Sequence, residues 1–103
     1  GAIYNPSTDT WTAMSVTRAP SPRVDASMIW TGTKLIVWGG SNGGGTNYND
    51  GGIYDPATDT WTPTNTGFAL PAARTQHSAV WTGSKMLIWS GNPNFTDGFS
   101  YFP

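Results

Sequence analysis

Arg23 and Arg74 stand 51 residues apart in similar surroundings and are the most suggestive chemical groups of the chain. A guanidinium offers five donors in a rigid fork, so this pair could grip carboxylates bidentately or tie neighbouring repeat units together through backbone carbonyls, and both roles stay open. The single histidine, His77, could move a proton, but a lone imidazole is more simply a polar group satisfied within the fold. The six acidic residues are all Asp, and cysteine is absent, so neither a metal site nor a cofactor is expected and thiol chemistry is excluded. Asp9 and Asp59 recur at one turn position, and Asp50 and Asp97 recur just ahead of a strand. Such repeated Asp residues serve turn hydrogen bonds. Asp25 and Asp55 are not repeated, and their spacing makes no general acid and base pair, so no catalytic residue is assigned.

Binding is a better prospect. Tyr48 lies in the stretch Ser41-Asn42-Gly43-Gly44-Gly45-Thr46-Asn47-Tyr48-Asn49, and Phe95 follows Asn94 in Asn92-Pro93-Asn94-Phe95-Thr96. An aromatic ring among amides and hydroxyls suits a sugar, whose apolar face stacks while its hydroxyls are hydrogen-bonded, or a peptide. The same rings could instead pin their own loops. Asn94-Phe95-Thr96 is also an N-glycosylation acceptor in a eukaryotic secretory setting.

The elements that position these residues are repeated. Tyr4-Asn5-Pro6-Ser7-Thr8-Asp9-Thr10-Trp11-Thr12 returns as Tyr54-Asp55-Pro56-Ala57-Thr58-Asp59-Thr60-Trp61-Thr62, and Trp30-Thr31-Gly32-Thr33-Lys34 as Trp81-Thr82-Gly83-Ser84-Lys85. A period of this size means that each copy is one supersecondary unit hiding its apolar faces against neighbours. The apolar runs are short, β-branched or aromatic, and bounded by Gly, Pro, Asn or Asp, so the chain is all-β. One unit reads as four strands, a to d, near 25–31, 34–39, 51–55 and 60–64. Strand b, Leu35-Ile36-Val37-Trp38 and its twin Met86-Leu87-Ile88-Trp89, is apolar throughout, as a strand buried on both faces requires. The six Trp fall at three repeated positions, 11/61, 30/81 and 38/89, which reads as packing.

Four-stranded antiparallel sheets stacked at a fixed repeat are the blades of a β-propeller. The Arg74-x-x-His77 opening of strand a, the Gly39-Gly40 pair ending strand b and the Tyr54 to Trp61 pairing across strands c and d resemble the kelch repeat, particularly its bacterial forms with Tyr-Asp-Pro-x-Thr-Asp-Thr-Trp. Ala26 replaces His77 in the first copy, and Ser90-Gly91 replaces the glycine pair in the second. The resemblance implies kelch-type propeller blades, about two of them, in the strand order c-d-a-b-c-d-a-b-c. Residues 1–22 form strands c and d of a preceding blade, 23–64 a complete blade, and 65–103 strands a to c of a following one. It also implies that strand a is innermost, placing Arg23 and Arg74 at the mouth of a central channel.

Tyr54 and Tyr101 are 47 residues apart whereas Arg23 and Arg74 are 51 apart, so the second b to c loop is four residues shorter. Variation is confined to the face carrying the d to a and b to c loops. That face, with Tyr48, Asn94 and Phe95, is the expected ligand-binding surface.

Composition bounds the partners. A net charge of -1 with five basic residues gives no patch for neutralising phosphates, so nucleic acid is excluded. No apolar stretch approaches the roughly 20 residues that span a bilayer. Only 11% of residues are charged, a composition common in secreted and cell-surface β proteins, and that is the expected location. The partners expected are further blades, supplied by a longer chain or by identical copies, three of which would close a six-bladed ring, together with a protein or carbohydrate ligand. The function expected is non-catalytic binding or scaffolding. The alternatives are a segment of an enzyme propeller resembling sialic acid mutarotases or galactose-oxidase-type enzymes, the latter weakened by the absence of Cys, or a lectin-like propeller.

Overall fold

Turn chemistry divides the chain into nine short strands. In the computed structural model, which describes all of residues 1–103, these are β1 (Ala2–Asn5), β2 (Thr10–Ala13), β3 (Ser27–Trp30), β4 (Leu35–Trp38), β5 (Gly51–Asp55), β6 (Thr60–Pro63), β7 (Ser78–Trp81), β8 (Met86–Trp89) and β9 (Gly98–Tyr101). The β1–β2 and β5–β6 turns are closed by Asx bonds: the Ser7 and Ala57 N–H groups donate to Asn5 Oδ1 and Asp55 Oδ1 at 3.0 and 2.9 Å. The β3–β4 and β7–β8 hairpins turn on Gly32 and Gly83, at φ of 102° and 103°, a region open to glycine at no steric cost.

All pairings are antiparallel. They build a two-stranded sheet (β1-β2), a four-stranded sheet (β3-β4-β5-β6) and a three-stranded sheet (β7-β8-β9), here sheets 1, 2 and 3. Equivalent strands keep equivalent registers. Tyr54 lies opposite Leu35 on one side and Trp61 on the other; Tyr4 lies opposite Trp11, and Tyr101 opposite Met86. The fold is therefore that of stacked antiparallel blades in the order read from the repeats.

The core lies between sheets 2 and 3. Ile36 and Trp38 of β4 meet Met86 and Ile88 of β8, all nearly inaccessible, with Ile29, Ile53 and Trp81 packed around them. Sheets 1 and 2 are joined differently. Ser15, just after β2, is held at both backbone groups by sheet 2: its N–H donates to Asp59 Oδ1 at 2.8 Å, and its carbonyl accepts from Trp61 Nε1 at 2.9 Å.

Two expectations are corrected. Strand b is not covered on both faces in sheet 3: Leu87 and Trp89 are 39% and 58% exposed, against 0% and 4% for their equivalents Ile36 and Trp38. Nor are all six Trp packed, because Trp11 and Trp30 are 70% and 53% exposed. The reason is stacking order. A residue pointing at another sheet of the chain is buried, whereas one pointing out of the end sheets, or across the strand a and b positions that sheet 1 lacks, has nothing to cover it.

Candidate functional site

The long connections within sheets 2 and 3 gather around the two arginines. Residues 39–50 join β4 to β5, and residues 90–97 join β8 to β9; both fold back over the segments leading into β3 and β7 through the isolated pairings Val24–Ser41 and Thr75–Asn92. The strand a openings are also stitched across the sheets. The Gly40 N–H donates to the Arg74 carbonyl at 2.9 Å, the Arg74 N–H to the Tyr48 carbonyl at 3.2 Å, and the Gln76 N–H to the Asp25 carbonyl at 3.3 Å. β3 and β7, strands of different sheets, lie against each other.

Arg23 and Arg74 occupy equivalent nests. Arg23 Nη1 donates to the carbonyls of Gly39 and Asp50 at 2.9 and 3.0 Å and pairs with Asp50 Oδ1 at 3.0 Å. Arg74 Nη1 donates to the Ser90 carbonyl at 3.0 Å and pairs with Asp97 Oδ1 at 2.9 Å. Each guanidinium is roofed by a loop aromatic: Tyr48 lies with its ring centroid 4.4 Å from Arg23, and Phe95 lies 4.1 Å from Arg74. A cation over a ring face is held by the ring quadrupole. The residues named as loop ligands and those named at the channel mouth thus form two stacked pairs, Arg23 with Tyr48 and Arg74 with Phe95. The arginine side chains are only 4% and 0% exposed, and each fork is engaged by carbonyls of its own repeat unit rather than tying one unit to the next, which corrects that expectation.

Sequence reading missed the arginine partners. Asp50 and Asp97 sit one residue before β5 and β9, and their shared role is legible only once their position relative to Arg23 and Arg74 is known. A second detail separates the nests. Arg23 Nη2 donates to Ser21 Oγ at 3.1 Å, but the repeat places Ala72 where Ser21 stands, and Arg74 Nη2 is buried without a partner.

Asn94 remains accessible. With Gln76, Ser90, Gly91 and Asn92 it lines an open polar hollow of about 420 Å³ beside Phe95. Amide and hydroxyl groups in such a hollow can donate to and accept from a polar ligand.

His77 is placed away from this surface. It lies edge-on to Trp38 of the neighbouring sheet, ring centroids 5.2 Å apart, and neither of its nitrogens has a hydrogen-bond partner. The expectation of a satisfied polar group is not met. Burial, seconded by the Arg74 charge, holds its pKa below the ordinary histidine value and favours the neutral ring. Gly39 is the residue this contact requires, since a Cβ there would stand 2.7 Å from His77 Cε1. At the opposite turns, Tyr4 and Tyr54 donate their hydroxyls to Asp9 and Asp59 at 2.8 and 2.7 Å, which raises both phenol pKa values. The Asp59 carboxyl is lowered, first by the Ser15 N–H and then by Tyr54.

A family model described as "KLHDC2/KLHL20/DRC7 Kelch-repeats domain" matches residues 2–100. No curated protein matches the chain.

Proposed function

The chain belongs to the kelch-repeat family, and from that premise we propose that it is a non-catalytic binding or scaffolding segment of a β-propeller, meeting a protein or carbohydrate on its loop-bearing face. The observation that carries this reading is the polar hollow around Asn94, set beside an aromatic ring on the face where the loops vary in length. The arginine stacking fixes Phe95 and Tyr48 in place. A prefixed ring loses little freedom when a ligand stacks on it, which is the entropic advantage of a preorganised surface. His77 is turned into the contact between sheets, so the face offers amides, hydroxyls and rings to a ligand. The low charge content supports a secreted or cell-surface setting.

The test begins with ligand selection on a glycan array and from a displayed peptide library. Asn94→Ala, the variant least able to disturb the fold, weakens the selected ligand about fivefold or more, an effect of about 1 kcal/mol. Tyr48→Phe retains the stacking on Arg23 and reads the hydroxyl alone. Thr33→Ala and Ser84→Ala, on the opposite turns, leave affinity unchanged. Loss from those turns, with Asn94→Ala silent, overturns the reading.

A further inference from the structure

We propose that a second copy of this chain docks head to tail on the first, its β1–β2 hairpin taking the place of β9 beside β8, so that a mixed sheet β7-β8-β1-β2 forms between copies. The proposal rests on reading the chain as propeller blades and names the partner that completes them.

The open faces are two halves of an interface the chain already makes once. Sheet 2 presents Ile29, Ile36 and Trp38 to sheet 3, and the equivalent residues of sheet 3, Val80, Leu87 and Trp89, are uncovered at 56%, 39% and 58%. Sheet 3 presents Trp81, Met86 and Ile88 to sheet 2, and the equivalents on sheet 2 are Trp30, Leu35 and Val37, with Trp30 53% exposed. One open face therefore carries the residue classes that the other packs against inside the chain. Sheet 1 supplies strands in the c and d positions only, and sheet 3 supplies a, b and c. The β1 edge turned away from β2 is unpaired, whereas the same edge of β5 is bonded to β4.

Two strands then compete for position c, and one glycine decides between them. In sheet 2, a Cβ on Gly52 would stand 2.8 Å from Pro20 Cδ and 2.9 Å from Trp61 Cε3, so beside a seated strand d tryptophan even one side-chain atom forces a shift and each further atom forces a larger one. The equivalent residue is Phe99 in β9 and Ala2 in β1. Ala2 adds only that one atom, and its hairpin carries the same aromatic pair: the Tyr4 and Trp11 rings are 5.0 Å apart, against 5.1 Å for Tyr54 and Trp61. Phe99 fills the place that an incoming indole requires.

Beside Phe99, part of that place is already open. A cavity of about 310 Å³ lies between β9 and the segment 64–71, lined by Phe99 and Tyr101 and by Thr64, whose hydroxyl is buried and unpartnered. Asn65, the equivalent of Ser15, makes no backbone hydrogen bond. The partner's Trp11 indole enters as Phe99 leaves and donates to the Asn65 carbonyl, and the partner's Asp9 accepts the Asn65 N–H, repeating the hold of Trp61 and Asp59 on Ser15.

The intact chain, its fold followed by near-UV circular dichroism, sediments at two to four times 11.0 kDa, since each copy adds two blades to a ring of four to eight. Removing residues 98–103 preserves that mass, and removing residues 1–5 abolishes it. Because the chain has no cysteine, Ile3→Cys combined with Leu87→Cys reports the strand exchange directly. Ile3 corresponds to Ser100, the register partner of Leu87, so oxidation yields a ladder of linked chains. A folded species of 11.0 kDa, showing that different blades cover these faces, overturns the proposal, as does assembly lost on removing 98–103 or the absence of the ladder. These readouts are mass and cross-linking, and loop variants that lose ligand without changing mass refute the binding reading alone.

Discussion

Asp59 holds the backbone of Ser15 across 44 residues of sequence, its carboxylate accepting the Ser15 N–H at 2.8 Å while Trp61 of the same strand region caps the Ser15 carbonyl. Both partners of Ser15 come from the sheet that follows it, so the contact ties one blade to the next. Asp59→Ala frees that amide and is expected to raise its hydrogen exchange rate and lower the melting temperature. Asp9→Ala, at the equivalent position with no segment of this chain beneath it, leaves the exchange of Ser15 unchanged.

On the acid side, two groups with shifted pKa values link stability to pH. The unfolded chain protonates its histidine near pH 6.5, while the folded chain resists it at His77, so stability falls as pH drops below about 6.5 until the folded imidazole also titrates. The Asp59 carboxyl is lowered on folding; its contribution is present above its ordinary pKa and is lost as pH falls through the depressed one. Chemical denaturation between about pH 6.5 and about pH 5 is expected to show a smaller slope for His77→Phe, which keeps a ring against Trp38 without the titrating nitrogens.

Tryptophans at equivalent positions are expected to differ in worth. Trp38→Ala opens a cavity in the core and costs about 3 to 5 kcal/mol, whereas Trp89→Ala, whose residue faces outward, costs about 1 kcal/mol or less in a single chain. Urea unfolding of the two variants at a concentration where the chain is monomeric separates them. Equal losses would contradict the stacking order of the sheets.

The repeat also suggests a repair. Ala72→Ser restores the hydroxyl that Ser21 offers Arg23 and gives the buried Arg74 Nη2 an acceptor, a gain of about 1 kcal/mol measured by denaturant midpoint. A neutral or negative change would mean that the second nest is shaped differently from the first.

Strand positions were legible because turns and apolar runs recur together. Those signals give Gly51–Asp55 its observed bounds and place the other strands to within a few residues. Burial was less legible, since strand b carries the same apolar letters in both copies. Whether Trp38 or Trp89 is covered depends on which sheet stands in front of it, and no local pattern records that. The site was half readable. Tyr48, Phe95, Arg23 and Arg74 each stood out by type, but their pairing into two stacks depends on how loops of unequal length fold back. Asp50 and Asp97 resembled turn residues until the arginines were placed beside them.

The central claim is that partners are met on the loop-bearing face around Asn94. Backbone amide shifts, followed by nuclear magnetic resonance as a selected glycan or peptide is added to the intact chain, test it most directly. The largest changes are expected in residues 41–49 and 90–97 and at Gln76. Changes concentrated instead at the hairpin turns 31–34 and 82–85, or spread along strands with the loops silent, would contradict it.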